Sequence, residues 1–154
     1  MAVAVGPKKI NGIRKEKYLA AKSMGYKLAS YVSSRSSIWN TTVGENTFVF
    51  ENSVIQPFVE IGNNVIVWST NHLGYHSIIR DHVFISAHVV IGGSVEIGEQ
   101  CFLGLNSTIR DHVRIGERCL IGAGALVLGD TPADGFFRMG GTPRLTKDNS
   151  SIHL

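Results

Sequence analysis

From Val43 to Val127 a branched aliphatic residue returns at every sixth position without a slip in phase: Val43, Val49, Ile55, Ile61, Val67, Leu73, Ile79, Ile85, Ile91, Ile97, Leu103, Ile109, Ile115, Ile121 and Val127. Four residues after each stands a small or β-branched side chain: Thr47, Ser53, Val59, Val65, Asn71, Ser77, Val83, Val89, Val95, Cys101, Ser107, Val113, Cys119, Ala125 and Thr131. A helix repeats its faces every ~3.6 residues and a strand every ~2, so neither alone produces this pattern. A sustained period of six calls for short strands joined by regular corners and stacked as a solenoid.

Counting the aliphatic as slot one, each hexad is one strand and one corner, and three hexads close a triangular coil of 18 residues. Residues 43–132 then hold about five coils, with slots one and five turned inward. Residues one coil apart stack at ~4.8 Å, which places Cys101 and Cys119 one above the other in the interior. Glycine in slot two (Gly44, Gly62, Gly74, Gly92, Gly98, Gly104, Gly116, Gly122) reads as serving a corner with a φ that other residues resist. No insertion breaks the phase, so the coils are expected to be nearly smooth. The fold class is mainly β, a parallel β-helix over residues 35–132. Proteins that this repeat resembles wind left-handed, against the usual right-handed crossover preference.

The 154 residues allow one domain, or one and a fragment. Hydrophobic content of 44% with 18% charged residues suits a folded chain. The net charge of +3 comes without a basic cluster or aromatic ladder, which argues against nucleic-acid binding. No apolar run approaches the roughly 20 residues of a membrane span. The first six residues are too short for a secretory signal. Two cysteines placed in a core point to a reducing cytoplasm.

Upstream of the repeat, residues 2–5 (Ala-Val-Ala-Val) read as a short buried strand ended by Gly6 and Pro7. Asn11 is placed to cap a helix over residues 12–24. Its apolar positions Ile13, Ala20, Ala21 and Met24 fall on one stripe, and Gly25 suits the place just past its end. Residues 28–32 read as a second strand. This βαβ unit, residues 1–34, is either a fragment of a larger α/β domain or a small cap on the β-helix. Residues 33–42 are a linker or an irregular first coil. Residues 133–154 form a C-terminal extension, in which Phe136 and Phe137 are expected to cover the last coil or a neighbouring subunit.

Five of the six histidines lie between positions 72 and 112. His76, His82, His88 and His112 occupy slot four, which elsewhere holds Asn46, Asn52, Asn64, Ser94, Gln100, Asn106 and Arg118. Slot four is therefore read as polar and outward, and a solvated imidazole is its ordinary occupant. His72 differs, standing in slot six of the preceding hexad. The segment Asn71-His72-Leu73-Gly74-Tyr75-His76-Ser77 thus gathers two imidazoles and a phenol about one corner. An imidazole can take a proton from an attacking amine or hydroxyl near neutral pH.

Residues 68–127, with Ile97-Gly-Glu-Gln-Cys-Phe-Leu-Gly-Leu-Asn-Ser107 as the most specific stretch and Gly140-Gly141-Thr142-Pro143 closing, resemble acetyl-CoA-dependent sugar acetyltransferases of the sialic-acid/bacillosamine family. Residues 3–34 resemble the end of that family's N-terminal nucleotide-sugar domain, whose glycine-rich first strand and turn do not occur in this sequence. The resemblance implies a homotrimer with its active site between subunits and acetyl-CoA in the groove between neighbouring β-helices. It also implies a histidine that deprotonates the amino or hydroxyl group of a nucleotide-linked sugar acceptor. Counted in phase from Cys101, the family's catalytic histidine falls on Tyr75 and its acidic neighbour on His76. The base is then His76, or His72 reaching in from the preceding hexad, or the activity is lost, since a phenol is a poor base at neutral pH. By the same counting, acetyl-CoA contacts fall on Phe84, Gly93, Leu105 and Ala123, with Arg144 for a CoA phosphate.

Two other readings compete. Zinc carbonic anhydrases share the trimeric left-handed β-helix, and His76 and His112 are 36 residues apart, suited to ligands on stacked coils. Their third histidine would fall on Glu117, so no metal site is assigned. The other is a non-catalytic trimeric scaffold, favoured by Tyr75 and the truncated N-terminal domain.

Overall fold

A computed structural model describes residues 1–140. Two-residue strands recur once per hexad and assemble into three parallel sheets of seven, six and five strands, the faces of a three-sided prism with about six turns. The first face runs from Tyr31–Val32 to Phe136–Phe137, the second from Ser37–Ile38 to Leu126–Val127, and the third from Thr42–Val43 to Arg114–Ile115. Through the middle of the chain, residues 18 apart lie side by side, as with Phe84 and Phe102, Val90 and Thr108, and Glu96 and Arg114. The end coils are shorter, since Tyr31 lies beside Phe48 and Leu120 beside Phe136. The prism therefore reaches further at both ends than the in-phase repeat does. The parallel strands and hexapeptide repeats make this a β-helix of the left-handed hexapeptide kind.

Slot one from Val49 to Val127 and slot five from Thr47 to Ala125 are buried throughout. Each fully buried aliphatic contributes about 1.5–3 kcal/mol. The polar residues in slot five tie the corners from within. Ser77 Oγ donates to the Gly92 carbonyl at 3.0 Å and accepts from the Val95 amide at 3.1 Å. Asn71 Oδ1 accepts from the Val89 amide at 2.7 Å. Cys101 and Cys119 are free thiols stacked as expected, with the Cys119 amide donating to Cys101 Sγ at 3.4 Å. Burial pushes the Cys101 thiol up to about 12.

The corners work differently from their sequence reading. Slot four takes the left-handed conformation: φ is 52° at Asn46, 54° at Asn64, 55° at His76, 64° at His82, and 58° at both His88 and His112. Asparagine and histidine are among the side chains that enter this region most readily. The slot-two glycines serve close approach instead. A Cβ on Gly44 would lie 2.6 Å from the Gly62 carbonyl carbon, and one on Gly104 2.6 Å from the Ala123 amide nitrogen.

The N-terminal segment departs most from expectation. No strand forms at residues 2–5, because the backbone there bonds to a side chain: the Val3 amide donates to Asn46 Oδ1 at 2.8 Å, and Asn46 Nδ2 donates to the Val3 carbonyl at 3.3 Å. Within residues 28–32 only Tyr31–Val32 is a strand, and it belongs to the first face of the prism. The helix α1, Gly12–Ser23, ends before Gly25 at φ 79° as foreseen. Asn11 does not cap it; its buried side chain donates to the Cys101 carbonyl at 2.8 Å. The buried face is Arg14, Tyr18 and Ala21, with Met24 exposed. The Arg14 guanidinium donates to the carbonyls of Asn64, His82 (2.8 Å) and Val83 (3.2 Å), and burial lowers its pKa to about 10. Lys15–Glu99 and Lys22–Glu45 ion pairs, each 2.5 Å, flank it. The helix thus lies along the corner between the third and first faces.

Beneath α1, slot four is inward for Asn46, Asn64 and His82, which form a buried ladder. Asn46 Nδ2 donates to Asn64 Oδ1 at 2.8 Å, and Asn64 Nδ2 donates to His82 Nδ1 at 2.8 Å. That bond needs a neutral imidazole. Burial lowers the His82 pKa, Lys15 and Arg14 lower it further, and Glu99 and Asp81 oppose them; the Tyr18 ring packs edge-on at 5.4 Å. With the folded pKa depressed, the unfolded chain binds the proton more readily, so stability falls as pH drops below the ordinary value of ~6.5. His82→Asn, which continues the asparagine ladder, is expected to flatten the decline of Tm between pH 7 and pH 5. Thermal melts across that range check it, and a decline as steep as in the parent would exclude His82 as its source.

Candidate active site

The corner between the second and third faces carries the candidate side chains Tyr75 and His76. Slot four there stacks Phe58, His76, Ser94 and His112, and slot three stacks Pro57, Tyr75, Gly93 and Asp111. The Tyr75 amide donates to Gln56 Oε1 at 3.0 Å, and its carbonyl accepts from the Ser94 amide at 2.8 Å. The phenol ring lies against Gly93, where a Cβ would sit 2.6 Å from Tyr75 Cζ. The exposed His76 ring stacks on Phe58, with centroids 4.9 Å apart and planes at 15°, and meets the edge of Tyr75 at 5.8 Å and 89°. Tyr75, His76 and Gly93 are therefore brought together. His72 is half-buried on the second face, in register between Val54 and Val90. Phe58 and Gln56 were not among the sequence candidates, although a phenylalanine in a slot otherwise polar or small was the available signal.

The remaining candidates lie elsewhere on the prism. Phe84 sits on the first face between Trp68 and Phe102, with centroid separations of 6.5 and 5.5 Å. Leu105 and Ala123 are exposed, one coil apart, on the corner between the first and second faces. Arg144 and the Gly141-Thr142-Pro143 segment lie outside the described residues. Beside Phe84, an apolar groove of about 820 Å³ runs between residues 4–7 and the aromatic side chains of Tyr31, Phe50 and Trp68. Phe137 packs on the end of the core, as foreseen for the paired phenylalanines, while Phe136 is exposed. Glu117, the position of the third zinc ligand in the competing reading, pairs with Arg118 at 2.9 Å on the corner between the third and first faces. Among the described residues no three His, Cys, Asp or Glu side chains gather to hold a metal ion.

Repeat and fold are those of a hexapeptide-repeat β-helix. Residues 40–75 match the family model described as bacterial transferase hexapeptide (six repeats), and residues 94–128 match the hexapeptide repeat of succinyl-transferase. No curated protein matches the sequence. Among solved structures, the acetyltransferase domain of PglB from Neisseria gonorrhoeae in complex with acetyl coenzyme A superposes with a TM-score of 0.81 at 27% identity, covering 87% of this chain and 64% of that one. A mutant of perosamine N-acetyltransferase from Caulobacter crescentus, in complex with CoA and GDP-perosamine, gives 0.81 at 21% identity and covers 86% and 66%. WeeI from Acinetobacter baumannii gives 0.77 at 19%, covering 82% and 63%. The chain thus spans about two thirds of the length of these relatives. The resemblance to hexapeptide-repeat sugar acetyltransferases drawn from the sequence is borne out.

Proposed function

We propose that this protein is an acetyltransferase that moves the acetyl group of acetyl-CoA to the amino group of a nucleotide-linked amino sugar, or to a sugar hydroxyl, with His76 as the base. The observation that carries the reading is the exposed imidazole of His76 on a packed aromatic corner, in a fold shared with acetyltransferases solved with these ligands. As the acceptor nitrogen or oxygen bonds to the thioester carbonyl carbon, the imidazole takes its proton. The carbon–sulfur bond then breaks, and the CoA sulfur leaves as the thiol with the proton returned by the imidazolium. His72, one strand away, supports the acceptor side, and Tyr75 shapes the wall over Gly93.

The assembly in this reading is a homotrimer. Tyr75, His76 and Gly93 stand on one corner, while Phe84, Leu105 and Ala123 stand on another part of the prism. A single copy lines only one side of a groove between them, and a second copy supplies the other. The slot-three strip Ala87, Leu105 and Ala123 offers small or apolar groups along which a pantetheine arm can lie, and Arg144 serves a CoA phosphate. The chain works in the cytoplasm, where acetyl-CoA is made and thiols such as Cys101 and Cys119 stay reduced; no helix among the described residues is long and apolar enough to cross a membrane.

The test is a panel of nucleotide-linked amino sugars with acetyl-CoA, following release of free thiol. Turnover with one of them is the expected result. Tyr75, at the place of the family's catalytic histidine, favours a second reading in which the chain is a non-catalytic trimeric scaffold. Absence of both turnover and saturable acetyl-CoA binding by calorimetry would establish that instead.

A further inference from the structure

Phe58 stands where the corner least favours a phenylalanine. Its φ is 64°, in the left-handed region that slot four elsewhere gives to Asn, His, Ser, Gln, Thr, Arg or Gly. A bulky apolar side chain is an outlier there, and within a single copy burial does not compensate it, since Phe58 is 52% exposed. What the ring does is stack on His76 one coil later, 4.9 Å away and within 15° of parallel. The edge of Tyr75 closes another side of the imidazole at 5.8 Å, while Gln56 holds the Tyr75 amide at 3.0 Å. An exposed residue kept in an unfavourable conformation, with its one aromatic stack on a candidate base, fits the pattern of strain retained at functional sites.

We propose that Phe58 is a positioning residue for His76: its face fixes the plane of the imidazole, so that a ring nitrogen projects from the corner toward the acceptor in one orientation. This rests on the reading of His76 as the base. Restricting a catalytic group to its productive orientation raises turnover without changing how the cosubstrate binds.

The experiment compares Phe58→Asn and Phe58→Tyr. Asparagine relieves the corner, so Phe58→Asn is expected to raise Tm by about 2 °C while lowering kcat about 10-fold and leaving the KM for acetyl-CoA unchanged. Phe58→Tyr keeps the ring and restores kcat. In proton NMR, the His76 ring protons are expected to be shifted upfield by the Phe58 ring in the parent and in Phe58→Tyr, and to lose that shift in Phe58→Asn. If Phe58→Asn destabilises the fold and keeps full turnover per folded molecule, Phe58 is structural and the proposal is overturned. Loss of the NMR shift with unchanged kcat overturns it as well. Full turnover in His76→Asn, by contrast, removes the base assignment while the NMR result still reports on the stack.

Discussion

His76→Asn and His76→Ala are each expected to lower turnover by at least about 100-fold, the low end of what a general base contributes, while acetyl-CoA still binds. Asparagine is the cleaner substitution. His76 has φ 55°, and an alanine there would add the cost of a left-handed L-residue, about 1–2 kcal/mol. Asparagine, the residue at four other slot-four positions (Asn46, Asn52, Asn64, Asn106), keeps the corner while removing the basic nitrogen. The imidazole is exposed and its backbone amide donates to the Pro57 carbonyl at 3.2 Å, a bond that either variant retains. Calorimetric titration with acetyl-CoA and thiol release measured on the same preparation separate binding from chemistry. If turnover survives in His76→Asn, the base lies elsewhere and His72 is the next side chain to replace.

The prism was legible because its information is local and repeated. An aliphatic at each sixth position leaves little freedom, and the stacking of Cys101 on Cys119 followed from counting alone. The same counting brings Tyr75 to Gly93. The split of the candidate contacts between corners also follows, since residues in the same slot share an edge only when they are a multiple of 18 apart, as Tyr75 and Gly93 are and Tyr75 and Leu105 are not. Counting equally places Phe58 beneath His76, but the polar pattern of slot four does not display the left-handed conformation that explains its asparagines and histidines. The N-terminal segment was illegible for another reason. Val3, Asn11 and Arg14 find partners 43 to 90 residues away, on a corner whose free carbonyls and amides no local pattern displays. A buried arginine bonded only to carbonyls lies outside what an apolar stripe on a helix can display. The end coils depart from 18 residues, so phase could not carry the prism to Tyr31 or Phe137.

Gly74→Ala is expected to cost about 3 kcal/mol, at the upper end for overpacking, and to lower Tm by roughly 6–12 °C. Gly74 is not in the left-handed region, so its glycine is required by contact. A Cβ there would lie 2.5 Å from both the Gly92 carbonyl oxygen and the Gly93 amide nitrogen. Neither can yield as a side chain would, because both belong to the backbone of the next coil. The Gly74 amide itself donates to the Ile91 carbonyl at 2.9 Å, so separating the coils would also stretch the ladder. Gly129 is the control: a Cβ there meets nothing within 4 Å, and Gly129→Ala should be neutral or stabilise slightly by restricting the unfolded chain. Thermal melts of the two variants test the contrast, and a Gly74→Ala protein melting within 2 °C of the parent, a shift below about 1 kcal/mol, would show that the coils can part at this corner without loss. Because Gly74 precedes Tyr75 and His76, the same close approach that stabilises the prism also sets the height at which the phenol rests on Gly93. The aromatic corner is thus tied to the coil spacing, and widening the coils there would displace the imidazole from its stack.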